Sequence, residues 1–233
     1  MHGKDAASEE PMSTYQLNVN PINSNVATPQ SRKSNPVLEQ KNTQIRTARI
    51  SDQKYIIAGM VLAFSSDPAV RWMYPDPYQY LTHFPRFVQA FGGKAFAQET
   101  AYCIDGYSGA ALWFGPGVEP DVDPVMELLG QSIFESDRAD VFAVFEQMDR
   151  YHPKESHWYL PIIGVEPTQQ GKGYGSALMQ HVLMQCDRDR IPAYLEASNP
   201  ANIPFYERHG FELLGTIQVG ASPSIFPMVR QPQ

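Results

Sequence analysis

The chain has 233 residues and a formal net charge of −7, with 42% of its residues apolar and 18% charged. That length suits one domain plus a tail, able to bury a core without disulfide or metal staples. The acidic balance argues against the basic face of a nucleic-acid binder, so an anionic ligand would need its own local cradle.

Cys103 and Cys186 are too few and too far apart for a disulfide framework or a zinc knuckle. No His, Asp or Glu set has metal-ligand spacing, so no metal is expected. Met1 to Pro11 carries Lys4, Asp5, Glu9 and Glu10 and no apolar run, so no secretory leader is read there. No stretch approaches the roughly 20 apolar residues of a membrane helix. The expectation is a cytoplasmic protein, monomer or homodimer, with neither membrane nor nucleic acid as partner.

Residues 1–43 are rich in Asn, Gln, Ser and Pro with Tyr15 as their one aromatic. Such a segment buries too little to offset its ordering entropy and reads as a disordered tail; the domain occupies 44–233. Within it, 44–50 alternates as a strand. Ser51 and Asp52 offer N-cap oxygens for a helix to about 64. A second helix runs over 78–91, interrupted or restarted at Pro85 and closed by Gly92-Gly93. Residues 101–104 and 110–114 fit a hairpin, and 122–150 is helical by periodicity. Then come a buried strand over 157–165, a helix over 173–188, a strand over 192–197, a short helix over 202–209, and strands over 211–219 and 225–229. This order implies an α/β fold with a mixed sheet.

The strongest local signal is the run from Ile162 through Met179, in which a buried strand ends at Pro167, a glycine-rich turn follows, and a helix begins at once. Glycines at 171, 173 and 175 let backbone amides face a ligand without β-carbons intervening. Amides at a helix start, with the positive end of its dipole, form an anion site, and Lys172 adds a charge. A pyrophosphate fits. The spacing fails both the P-loop and the Gly-x-Gly-x-x-Gly dinucleotide patterns.

Val165-x-Pro167-x-x-Gln170-x-x-Gly173-x-Gly175 resembles the acyl-CoA loop of the GNAT N-acetyltransferase superfamily. Leu195-Glu196-Ala197-Ser198-Asn199-Pro200-Ala201-Asn202 with Phe205-Tyr206-Glu207-Arg208-His209-Gly210-Phe211 resembles that family's second cofactor segment. Over 152–211 the chain looks most like puromycin N-acetyltransferases; 45–150 resembles them faintly and the tail does not.

The resemblance implies a central, mostly antiparallel sheet flanked by helices, in which two parallel strands, 157–165 and 193–197, splay apart. It implies acetyl-CoA as cofactor, held by Gln170, Gly171, Lys172, Gly173, Tyr174, Gly175 and Ser176, by the backbone of Ile163 and Val165, and by Asn202 and Tyr206. Tyr206 would donate a proton to the departing thiolate. His157 is the first candidate base, its ordinary pKa falling in the useful range; Glu155 and then Glu196 follow. Ile163 is a candidate oxyanion donor. Trp72, Tyr74, Tyr159 and Glu196 are candidate acceptor-binding residues, with Trp72 and Tyr74 equally explicable as core. The implied reaction is direct acetyl transfer to a primary amine of a small molecule, with xenobiotic or antibiotic-like amines among the acceptors the resemblance suggests. An enzyme acting on peptide or protein amines and a non-catalytic acyl-CoA-binding module stay open.

Overall fold

The computed structural model describes residues 44–233; the tail expected over 1–43 lies outside the described residues. In chain order the elements are β1 (Ile45–Thr47), α1 (Gln53–Ala63), α2 (Pro68–Met73), α3 (Pro77–Gly92), α4 (Lys94–Ala97), β2 (Ala101–Ile104), β3 (Gly109–Phe114), α5 (Val122–Ser132), α6 (Glu135–Tyr151), β4 (Trp158–Val165), α7 (Tyr174–Asp189), β5 (Ala193–Ala197), α8 (Ile203–Glu207), β6 (Glu212–Leu213) and β7 (Phe226–Arg230). The seven strands form one sheet in the order β1-β2-β3-β4-β5-β7-β6. Every neighbouring pair is antiparallel except β4 with β5.

Alternation along the inner strands divides the core in two. Cys103, Ala110, Leu112, Phe114, Tyr159 and Tyr194 face α1, α3, α5 and α6. Tyr102, Ala111, Trp113, Trp158, Leu160 and Leu195 face α7 and α8. Gly164 lets α1 sit directly on β4, since a β-carbon there would lie 2.7 Å from Met60 Sδ and 2.9 Å from Ala63 Cβ.

Three expectations change. Pro85 neither breaks nor restarts α3, which runs through it. Tyr80, Phe84, Phe87 and Val88 of that helix are buried, and burying four such side chains outweighs the ~3 kcal/mol that an interior proline costs. Asp52 does not cap α1: its carboxylate is taken by Arg46 Nη1 (2.6 Å), the Arg49 N–H (2.8 Å) and the Tyr107 hydroxyl (2.8 Å). The strand expected over 211–219 pairs only at Glu212 and Leu213, with a lone bridge from Ile217 to Ile225. Between them the chain presses Gly215 against the Tyr151 ring, where a β-carbon would clash with the phenol oxygen.

The end of α7 is an anchor. Asp187 accepts two bonds from the Arg230 guanidinium (2.7 and 2.9 Å) and one from the Gln233 N–H (2.8 Å). Arg230 is 4% exposed, and its Nε donates to the His209 carbonyl. Removing the carboxylate would leave a buried cation unpaired. Asp187→Ala is therefore expected to cost about 3 kcal/mol in denaturant unfolding. The guanidinium holds the Asp187 carboxyl below its ordinary range, so this stabilisation is complete above about pH 4 and is lost as pH falls through the lowered value. The acid limb of stability should flatten in the variant.

Candidate functional site

Pro161 interrupts β4 at the point that matters. The parallel pairing of β4 with β5 runs Trp158–Ala193, Tyr159–Tyr194, Leu160–Leu195 and then stops. On the other side, the β3–β4 register shifts between Leu112 and Phe114, so Leu160 and Pro161 together oppose Trp113. A proline cannot donate to a ladder, and a bulge is where a strand tolerates one. The bulge also reverses which backbone groups face β5. The Trp158 N–H bonds to the Pro192 carbonyl beside β5, whereas the Glu166 N–H bonds to Ser108 beside β3. Counting back from Glu166, the N–H groups of Ile163 and Val165 point into the gap left by β5.

That gap opens into a groove of about 590 Å³. It is lined by Ile163, Val165, Gln170, Gly171, Gly173, Tyr174, Gly175, Ser176, Asn202 and Tyr206, so the structure brings together every expected cofactor residue except Lys172. The Lys172 ammonium instead donates to Gln169 Oε1 (2.7 Å). Gly171 and Gly173 adopt φ of 75° and 82°, and β-carbons at either would meet nothing within 4 Å. The first α7 bond runs from the Ala177 N–H to the Gly173 carbonyl, and no side chain caps the helix. The N–H groups of Tyr174, Gly175 and Ser176 are thus left without helical partners at the groove. Gln170 Nε2 donates to the Val165 carbonyl (3.2 Å), closing the strand end. Arg208, which composition had not singled out, also lines the groove and is the one cation among the described residues there. Positive-φ glycines, orphan amides and a free strand edge fit a pyrophosphate carried on an amide-bearing arm.

The Tyr206 phenol faces the groove from α8 and is pushed above its ordinary value by burial, with Asp67 adding to the effect. It therefore stays protonated across the physiological range. Asp67 caps α2 through the Val70 N–H (3.0 Å) and accepts a bond from the Ser198 hydroxyl (2.7 Å); burial raises its carboxyl.

Ser198 belongs to a second, smaller cavity of about 90 Å³ on the other face of β4 and β5. Trp72, Phe87, Phe91, Phe145 and Glu196 line it, and Phe64 lines both spaces. The Glu196 side chain is 4% exposed, with His152 Nδ1 3.9 Å from its Oε1. The phenols of Tyr159 and Tyr194 beside it are raised by burial and by that carboxylate.

Other candidates lie elsewhere. Tyr74 is fully buried in the core, its hydroxyl bonded to Ser132 Oγ (3.0 Å), and lines neither space. Tyr159 packs edge-on to His152 and Phe91. His157 lines neither space; its Nε2 meets His152 Nε2 at 3.0 Å, and burial lowers its pKa. Glu155 is exposed, and its carbonyl lies 2.8 Å from His157 Nδ1. Sequence reasoning missed Phe64, Asp67, His152 and Arg208, none of which carries a local motif.

Residues 140–211 match the acetyltransferase (GNAT) family. An uncharacterized N-acetyltransferase of Schizosaccharomyces pombe is 29% identical over 147 residues; the match spans 56% of this chain and 59% of that relative. Among solved structures, a histone acetyltransferase HPA2 and related acetyltransferase from Corynebacterium glutamicum superposes with a TM-score of 0.58 at 24% identity, covering 82% of this chain and 97% of its own. Arylalkylamine N-acetyltransferase 2 of Aedes aegypti gives 0.58 at 13% identity, covering 82% and 100%. These two share the fold.

Gly173→Asp tests the cradle. It places a side chain at positive φ, costing about 1–2 kcal/mol, and sets an anion where phosphate would sit. Calorimetry should show coenzyme A affinity reduced by at least about tenfold, one carboxylate–phosphate repulsion being worth about 1.4 kcal/mol or more, with far-ultraviolet dichroism unchanged. Undiminished affinity would count against the cradle.

Proposed function

We propose that this protein, whose chain carries a GNAT acetyltransferase domain, transfers an acetyl group from acetyl-CoA to the primary amine of a small molecule with an apolar body. The observation that carries the reading is the placement of two spaces on opposite sides of the parted strands, meeting at Phe64. One has the amides for a pyrophosphate-bearing arm. The other has aromatic walls and one buried carboxylate, the chemistry that receives an ammonium on an apolar body.

Acetyl-CoA, when bound, supplies an acetyl group already activated as a thioester. The chain supplies the rest. The α7 amides and Arg208 would hold the phosphates, the Ile163 and Val165 backbone would pair with the arm, and Asn202 would position its thioester end. Tyr206 holds a proton for the thiolate. Glu196 fixes the acceptor nitrogen. Adjacent spaces permit direct attack with both substrates in place. A covalent cysteine route is disfavoured, since Cys103 and Cys186 line neither space and burial pushes Cys186 up to about 12.

The aromatic walls favour an arylalkyl or comparable apolar amine over a peptide amine, and the relation of the Aedes aegypti neighbour to arylalkylamines agrees with that. Thiol release from acetyl-CoA should be fastest with 2-phenylethylamine, slower with butylamine, and slowest with a lysine-bearing peptide. Tight coenzyme A binding without turnover of any amine would favour the binding-module reading. Tyr206→Phe should lower kcat by about 10²-fold or more while leaving acetyl-CoA affinity within about twofold; wild-type turnover in that variant would remove Tyr206 from the acid role.

A further inference from the structure

Behind Glu196 lies a pair of histidines whose hydrogen-bond order is dictated by the backbone. His157 Nδ1 is 2.8 Å from the Glu155 carbonyl, which can only accept, so in the neutral ring Nδ1 carries the proton. His157 Nε2 is then a lone pair. His152 Nε2, 3.0 Å away, must donate to it. That leaves His152 Nδ1 as a lone pair, and it faces the Glu196 carboxylate at 3.9 Å. Two acceptors face each other at 3.9 Å, beyond hydrogen-bond distance, so a proton arriving on either one turns the pair into donor and acceptor and draws them together.

We propose that Glu196 and His152 act as a single proton-accepting pair for the acceptor amine, with His157 as the positioning residue that holds His152 in its Nε2–H tautomer. The inference rests on the acetyl-transfer reading and deepens it by assigning the base. The ammonium N–H breaks and an O–H forms on Glu196; the two side chains then close from 3.9 Å to hydrogen-bond distance, and the O–H breaks as an N–H forms on His152 Nδ1. The amine is left neutral with its lone pair free, and the proton resides on an imidazolium, to be released to solvent after transfer. No other group changes charge.

The surroundings suit the arrangement. Tyr159 and Tyr194 pack edge-on to the His152 ring at 4.7 and 5.0 Å, and Tyr151 precedes it on α6. All three are phenols, and those of Tyr159 and Tyr194 are raised, so they stay uncharged beside the pair. The Tyr194 hydroxyl is buried beside the Glu196 carboxylate, which adds to burial in raising it. His157 is faced by His152, Tyr194, Glu196 and, from the loop before α5, Glu119. Burial outweighs the carboxylates there and lowers its pKa, which keeps the ring a neutral acceptor for the His152 N–H.

The test has two readouts. Nitrogen-15 NMR of the free protein at about pH 8 should show His152 as the Nε2–H tautomer and His157 as Nδ1–H; His152 found as Nδ1–H overturns the proposal whether or not any amine is acetylated. The second readout is the pH profile of kcat/KM with 2-phenylethylamine. Protonation of the pair blocks it, so activity should be lost as pH falls, and His152→Asn should shift or abolish that acid limb and lower kcat at least tenfold. His157→Gln, which can still accept the His152 N–H, should retain kcat within about threefold, whereas His157→Leu should not. An unchanged acid limb in His152→Asn, or equal rates in the two His157 variants, overturns the assignment. Wild-type protein that releases no thiol with any amine would instead defeat the acetyl-transfer reading and leave the tautomer result standing by itself.

Discussion

Past Leu160 and Leu195 the two central parallel strands cease to hydrogen-bond to one another, and most of what is distinctive about the molecule follows from that. A buried strand normally cannot leave its backbone unpaired, because each orphaned amide costs a substantial fraction of the domain's net stability. Here the bulge at Leu160–Pro161 turns the unpaired groups toward a groove, where solvent or a ligand can satisfy them. The same divergence separates the side chains at the ends of β4 and β5, leaving Ile162 and Glu196 to line a second space on the opposite face. One irregularity in one strand thus opens a space on each face of the sheet.

The electrostatic layout is equally economical. The chain is acidic overall, yet its groove gathers helix-start amides and Arg208 rather than a broad basic surface. Partial charges from ordered amides cannot be titrated and need no side-chain ordering. On the other face, a single carboxylate sits among aromatic rings, with the phenols of Tyr159 and Tyr194 held in their neutral form and the His152 ring 3.9 Å away. A cation entering there meets one strong partner.

How much of this could be read from sequence divides along the two faces. The groove was legible because its parts are contiguous: the loop from Gln170 to Ser176 opens α7, and Asn202 and Tyr206 follow within one strand and one turn. The resemblance then joined the two segments. The acceptor side was not legible, because it is assembled from α2, α3, α6, β5 and the loop at Ser222–Ile225, which the sequence scatters. Trp72 and Tyr74 are two residues apart, yet one lines the cavity and the other is drawn into the core by Ser132, 58 residues away. His157 was visible as a histidine on a strand, but its orientation depends on His152, which lies beyond the end of α6 and has no periodicity to mark it. Pro85 and Asp52 show the same limit: local rules spoke clearly, and distant apolar contacts or an arginine overruled them.

Phe64 and the neighbouring Asp67–Ser198 bond bear on more than shape. A wall shared between two compartments cannot adjust to one occupant without altering the room left for the other. Were both spaces filled, their occupancies would be thermodynamically linked: whatever factor a ligand in the groove gains or loses in affinity across the wall, the ligand there must return. The order in which substrates enter would then be written in the last turn of α1 and the few residues after it, well away from any atom that reacts.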